Sequence, residues 1–256
     1  MPKLVVRCFA VSLDGYSAAK GQTLEAPFGK DGLKLMDWAF ATRFFNTMFG
    51  REGGSEGIDN DYALEADQNI GATIMGRHMF GPQRGPWPDE EWKGWWGRNP
   101  PYHHPVFVLS HHRHSSFELE GGTRFTFVND GIQSALEQAF AAAMGKDVRI
   151  GGGAATVSQY LKAGLIDELH LVLVPILLGH GERIFEGLDG VQDRYEVAEF
   201  VPSRTVSHVR VVRKKDQAEG HQAPDPGERG HADFSRRANS RTRPTLTATK
   251  ATVSTR

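Results

Sequence analysis

The segment Val148-Arg-Ile-Gly-Gly-Gly-Ala-Ala-Thr156 constrains this chain more than any other stretch. A short apolar strand runs into three glycines and then into a helix-forming run from Ala154 to Leu161. Two readings of the glycines compete. A tight turn that needs positive φ asks for one glycine, whereas close approach of bare backbone to a phosphate asks for several. The start of the following helix adds unpaired N–H groups and the positive end of its dipole. Three glycines at a strand-to-helix junction favour an anion site built from Gly151, Gly152, Gly153 and the helix start Ala154, Ala155, Thr156. The spacing is not GxGxxG, so the ordinary dinucleotide-binding fold is not indicated.

The rest of the chain alternates strands with helices. Lys3 to Ala10 is a near-continuous apolar run, suited to a strand buried on both faces. Residues 17–32 read as loop, and Leu33 to Phe49 has apolar residues at helical spacing. Asp59 is expected to cap a short helix from Asn60 to Asn69, and Asp130 to cap one from Ile132 to Met144. Further strands are expected at Ala72–Met75, Val106–Leu109, Thr123–Val128, Val148–Ile150 and Glu168–Pro175. Tyr195–Phe200 and Thr205–Arg213 close the domain as a hairpin. This order predicts an α/β domain over residues 1–213, with a mainly parallel central sheet flanked by helices and a C-terminal antiparallel hairpin.

After residue 213 the composition shifts. Residues 214–256 hold nine Lys and Arg against five Asp and Glu, and Phe234, Leu246 and Val253 are their only large apolar residues. So little apolar surface cannot offset ordering entropy, and the segment is expected to be a disordered basic tail. The whole chain has a formal net charge of -1, which gives no reason to expect nucleic acid as a partner. No apolar run approaches the ~18 residues of a membrane span, and the N-terminal run breaks at Asp14-Gly15, too early for a secretion signal. A single cysteine, Cys8, excludes an intramolecular disulfide and a cysteine-built zinc site. A cytoplasmic location is expected.

Two further motifs stand at strand ends. Ile74-Met75-Gly76-Arg77-His78 puts a glycine and a cation where α/β sheets bind ligands. Arg77 reads either as a bidentate phosphate clamp or as a surface ion pair. Ser110-His111-His112-Arg113 follows the next strand, and its hydroxyl, imidazoles and guanidinium suit a ribose phosphate. The five histidines between 103 and 114 lack helical spacing and partner carboxylates, so no metal site is expected. Between them, residues 81–105 form a long loop holding Trp87, Trp92, Trp95 and Trp96. It reads as a lid over a ligand, a packed satellite cluster, or a dimer contact.

Three blocks together carry a family resemblance: Arg149-Ile-Gly-Gly-Gly-Ala-Ala, Leu161-Lys-Ala-Gly-Leu-Ile-Asp-Glu-Leu169 and Pro175-Ile-Leu-Leu-Gly-His-Gly-Glu-Arg-Ile-Phe185. They resemble the C-terminal reductase domain of the bifunctional riboflavin-synthesis deaminase-reductase. Ser12-Leu13-Asp14-Gly15 and Met75-Gly76-Arg77 match the same dihydrofolate-reductase-like superfamily. The resemblance spans residues 3 to about 212. It implies NADPH held by Gly76, Arg77, His78, Ser110 and the Gly151–Gly153 turn, with the nicotinamide along the end of the first strand at Ala10 and Ser12. It implies a small planar substrate, pterin-like or ribosylamino-pyrimidine-like, and a homodimer. The zinc-deaminase pattern HxE…PCxxC is absent from the sequence.

The catalytic carboxylate of dihydrofolate reductases has no obvious counterpart. Asp61 is the best candidate, because its short helix directly precedes the Met75-Gly76 strand; Asp59 and Glu65 share that helix, and each of the three also reads as solvated helix surface or a cap. Asp14 reads either as a substrate contact at the mouth of the site or as a turn residue. Two functions therefore stand open: an NADPH-dependent reductase, or a non-catalytic domain that binds the ligand without turnover.

Overall fold

The computed structural model describes residues 1–214; the tail expected over 214–256 lies outside them apart from Lys214. Strand β1 (Leu4–Ser12) forms as expected from its apolar run, and Leu4, Val5, Val6 and Val11 are all buried. It is followed by β2 (Ile70–Gly76), β3 (Val106–Leu109), β4 (Phe117–Leu119), β5 (Thr123–Val128) and β6 (Asp147–Gly152). Then come β7 (Glu168–Val174), β8 (Tyr195–Pro202) and β9 (Ser207–Arg213). They form one nine-stranded sheet in the order β4-β5-β3-β2-β6-β1-β7-β9-β8. β5, β3, β2, β6, β1 and β7 run parallel, and β4, β9 and β8 add antiparallel edges. The three-residue β4 was not anticipated; it is too short to show a period.

Alternation along the strands sends residues to two faces. Leu4, Val6, Ile74, Val148, Ile150, Leu169 and Leu171 pack against α5 (Ile132–Ala142) and α6 (Ala154–Lys162). On the other face, Ala10, Val172 and Val174 pack against Leu35, Trp38 and Ala39, from a 3-10 turn (Gly32–Met36) and α1 (Asp37–Phe40). Helices α2 (Arg43–Met48) and α3 (Ile58–Ala66) follow.

The single helix expected over Leu33–Phe49 is thus three pieces. The break falls at Thr42, whose backbone is extended (φ -74, ψ 152). Its hydroxyl donates to Ala39 O (2.6 Å) and accepts from Phe45 N (3.2 Å), ending one helix and capping the next. Helical spacing of the apolar residues survives across the break, which is why periodicity missed it. Both expected acidic caps are also corrected. Glycines occupy the N-cap positions, Gly57 for α3 and Gly131 for α5, and no side chain caps either helix.

Asp59 instead faces the sheet and ends a buried hydrogen-bonded chain. β1 bulges between Val6 and Phe9, and Cys8 has φ 50. The Cys8 N–H donates to His170 Nδ1 (3.3 Å). That acceptor role leaves the His170 proton on Nε2, which donates to His208 Nδ1 (3.1 Å); His208 Nε2 in turn donates to Asp59 Oδ1 (2.9 Å). Both imidazoles are 1% exposed, and the Tyr62 ring stacks on His208 at 4.2 Å and lies tilted against His170 at 4.7 Å. Further along the same face, Arg210 joins Glu65 of α3 to Glu168 of β7. Helix α3 is therefore held by polar contacts that demand specific partners.

Burial, then the neighbouring charges of His208, Arg210 and Arg7, push His170 down to about 3, so it is neutral in the fold. Its folded value lies below the ordinary 6.5, so the unfolded chain takes up the proton first. The stabilisation from neutral His170 is complete above about pH 6.5 and is lost as pH falls towards 3. His170→Gln is expected to be less stable than the parent at pH 7. Its loss of stability between pH 6.5 and 4 will be shallower, as read from urea denaturation midpoints across that range.

Candidate functional site

Because the central strands are parallel, their C-terminal ends share one rim of the sheet. Met75 pairs with Gly152, Gly76 with Leu109 and Ser12 with Val174. Gly76, the 151–153 turn, Ser110 and Ser12 consequently lie along that rim. At its centre β6 passes through Gly152, with φ 122, into Gly153, the N-cap of α6. No side chain caps α6, and a Cβ placed on Gly153 would meet nothing within 4 Å. The helix start faces open space, as an anion cradle requires.

Gly76 is needed for a different reason. Its backbone is ordinary (φ -79, ψ 156), but an added Cβ would overlap Thr156 Oγ1. The end of β2 therefore lies directly against the first turn of α6. Arg77 opens the short α4 (Arg77–Phe80) at that point. Its guanidinium carbon lies 3.7 Å from the Trp87 ring centroid, and Nη1 donates to Gly85 O. Its Nε and Nη2 are buried without a partner. Buried guanidinium donors without an acceptor are costly, and they fit an anionic ligand.

Other expected residues are already engaged. Ser110 Oγ donates to His112 O (2.8 Å) and accepts from His112 N (3.0 Å) in a closed turn. Ser12, 1% exposed, donates to Asp14 Oδ1 (2.5 Å) and accepts from Tyr16 N (3.0 Å), while Ala10 is buried beside it in the strand. Asp14 also accepts from Leu178 N (3.1 Å) and Gly179 N (2.6 Å). The Ser12 hydroxyl first, then these two amides, hold its carboxyl down at about 2. Asp14 thus ties the loop after β7 to the turn after β1. His78 is exposed as a residue; partial burial of its ring, then the charges of Arg84 and Arg77, lower it to about 4 and keep it neutral. Asp61 is exposed on α3, and its carboxylate makes no hydrogen bond among the described residues. An open cavity of about 350 Å³, with Lys30, Asp31, Lys34, Ile176, Leu178 and His180 in its lining, meets the Asp14 tie through Leu178.

The model of the RibD C-terminal domain family matches residues 2–211. The chain belongs to this family. "Uncharacterized protein YyaP" of Bacillus subtilis (strain 168) is 34% identical over 59 residues, which are 23% of this chain and 31% of that protein. A protein of Shewanella sp. PV-4 described as a riboflavin biosynthesis protein superposes with TM-score 0.50 at 21% identity, over 84% of this chain and all of that one. Acinetobacter baumannii RibD gives TM-score 0.49 at 16% identity, over 84% of this chain and 59% of that one. The architecture is the α/β one expected from the sequence, with a mainly parallel central sheet, flanking helices and a C-terminal antiparallel hairpin.

Within this RibD-type domain the tryptophan loop is a packed satellite cluster. Trp87, Trp92 and Trp96 pack on a core of Met75, Phe80, Val108 and Phe125. Trp92 Nε1 donates to Phe80 O (3.0 Å) and Trp87 Nε1 to His112 O (3.2 Å). Trp87 thereby ties the Arg77 guanidinium to the turn that holds Ser110. The packed cluster is one of the three readings the sequence left open, but the seat of Arg77 on Trp87 and the histidine chain were not anticipated; for the chain, the one available sign was that His170 shares a strand face with Val172 and Val174. Among the described residues no helix is long and apolar enough to cross a membrane.

The close approach of β2 to α6 makes a direct prediction. Gly76→Ala should cost about 1–3 kcal/mol through overpacking against Thr156. Adding Thr156→Ala removes the overlapping hydroxyl, so the double variant should recover part of that loss. A double-mutant cycle by urea denaturation reads the coupling; strict additivity would mean the two residues do not meet.

Proposed function

We propose that this protein is an NADPH-dependent reductase of a small planar heterocycle, pterin-like or ribosylamino-pyrimidine-like. The observation that carries the reading is Arg77: two buried, unpartnered guanidinium nitrogens beside a glycine turn and an uncapped helix start. Membership of the RibD C-terminal domain family supports the same reading. In it, the amides of Gly151, Gly152, Gly153, Ala154 and Ala155 receive the pyrophosphate, with Thr156 and His78 at its sides. Gly76 lets that backbone come close, and Arg77 takes the ribose 2′-phosphate next to Ser110. Ala10 and Ser12, at the end of β1, lie along the nicotinamide.

NADPH, when bound, supplies the hydride. The protein supplies orientation, and the cavity that meets the Asp14 tie offers space for the heterocycle. Asp14 keeps that wall in place through its three hydrogen bonds and is ionised at neutral pH. It is a positioning residue in this reading. Asp61, whose carboxylate is uncommitted, is the proposed proton source. The protein works as a homodimer in the cytoplasm, the oligomeric state being checked by light scattering.

One observation favours a second reading, a domain that binds NADPH without turnover. Asp14 from the rim turn, and Asp59 and Glu65 from α3, turn inward, and all three are engaged in structural hydrogen bonds. Absorbance of NADPH with a panel of dihydrofolate, dihydrobiopterin and ribosylamino-pyrimidine substrates separates the two. Oxidation with one of them supports the reductase, and binding without oxidation across the panel supports the second reading.

The cofactor assignment has its own test. Arg77→Ala should weaken NADPH by about 10- to 100-fold, the scale of charge-assisted bonds to phosphate. NADH should be affected far less. Equal losses for both, measured by fluorescence titration, would remove Arg77 from the 2′-phosphate.

A further inference from the structure

Partly buried arginines elsewhere on the sheet meet carboxylates. Arg7 meets Glu168, Arg149 meets Asp67, and Arg210 meets Glu65, Glu168 and Glu199. Among the described residues no carboxylate lies within 4 Å of the half-buried Arg77, and the same holds for Arg84, which is exposed. Arg84 comes from the tryptophan-rich loop and neighbours Gly85, whose carbonyl accepts from Arg77 Nη1. Its own Nη2 donates to Gln22 Oε1 (3.3 Å), and Gln22 Nε2 donates to Pro27 O (3.1 Å). This tether joins the 17–32 loop to the 81–105 loop, but a neutral amide does not balance a guanidinium. Glu182 is near enough to act on Arg84 through space without pairing with it.

Arg77, at the rim, is thus joined through the Gly85 carbonyl to the backbone beside Arg84, and among the described residues neither arginine meets a carboxylate within 4 Å. Burial first, and then the charge of Arg84, disfavour the charged form of Arg77; the same two guanidinium charges reach His78. Like charges gathered this way are relieved by an anion of two negative charges. Trp87 fixes the plane of one guanidinium, while among the described residues the other is held by Gln22 alone.

We propose that Arg84 joins Arg77 on a single phosphate group of the ligand, so that one arginine from the end of β2 and one from the loop form a clamp. In the reading above this phosphate is the 2′-phosphate of NADPH, and the proposal rests on that reading for the identity of the ligand. The clamp makes Arg84 a determinant of cofactor choice that no motif marks in the sequence.

The test compares the parent with Arg84→Ala, Gln22→Ala and Arg77→Ala/Arg84→Ala. NADPH and NADH affinities are titrated, and thermal midpoints are recorded with 2′,5′-ADP, 5′-ADP and inorganic pyrophosphate. Arg84→Ala should lose about tenfold or more in NADPH affinity and less than about twofold in NADH. Its midpoint without ligand should match the parent. The double variant should lose less than the product of the single losses, as two donors on one phosphate require. Gln22→Ala should keep NADPH affinity within about twofold, because only the loop tether is removed.

Unchanged NADPH affinity in Arg84→Ala, or equal losses for NADPH and NADH, would overturn the clamp. A loss in Gln22→Ala equal to that in Arg84→Ala would assign the effect to the loop tether and also overturn it. A parent that fails to bind NADPH ends the cofactor reading alone. In that case Arg84-dependent stabilisation by pyrophosphate still supports the clamp, and stabilisation that ignores Arg84 overturns it.

Discussion

Parallel pairing of the buried strand β1 with β6 on one side and β7 on the other is the constraint on which the rest depends. Parallel strands need crossover connections, and those connections bring every C-terminal end to one rim. Three turns that are far apart in sequence, after β1, β2 and β6, become neighbours there. Their chemistry then follows from local detail. Gly76 is small because Thr156 is against it, and Gly153 is bare because α6 begins there without a cap.

Much of this was legible in the sequence. Long apolar runs marked β1 and β7, and the glycines between Ile150 and Ala154 marked the turn, because both signals are local. What escaped depended on distant partners. Asp59 has the composition of a cap, but its Oδ1 accepts from His208, 149 positions away, and its Oδ2 from the Thr205 hydroxyl. Asp14 sits in an ordinary Asp-Gly turn, yet two of its three donors come from Leu178 and Gly179. Thr42 divides a helix whose apolar spacing runs on undisturbed, since the decision lies in one hydroxyl competing with the backbone. Trp87 showed only as one of four tryptophans in a loop; that it carries Arg77 is a fact of tertiary structure.

The inward polar groups fall into two kinds. Around Asp14 and along Cys8, His170, His208 and Asp59, donors and acceptors match, and the groups hold the fold together. Even the thiol follows this pattern: Cys8 Sγ donates to Tyr62 O, and burial pushes it up to about 12, which makes it inert. At Arg77 the matching fails, with donors left over and no carboxylate near. Single buried atoms elsewhere, such as Arg7 Nε and Trp38 Nε1, also lack a partner, but at Arg77 two donors of one guanidinium do, and that marks a binding site more than a structural network.

The chain from Cys8 to Asp59 also bears on how this protein can change over evolutionary time. Among the described residues the ring nitrogens of His170 and His208 meet no polar partner beyond Cys8, one another and Asp59, so replacing either histidine strands its neighbour in the interior. Apolar core positions drift one at a time, because a neighbouring methyl can compensate. These four positions cannot drift singly. They will be inherited, or exchanged, as a set. The bulge at Cys8, the two strand histidines and the first turn of α3 therefore form a lineage marker, independent of the glycine turn and of whatever ligand it holds.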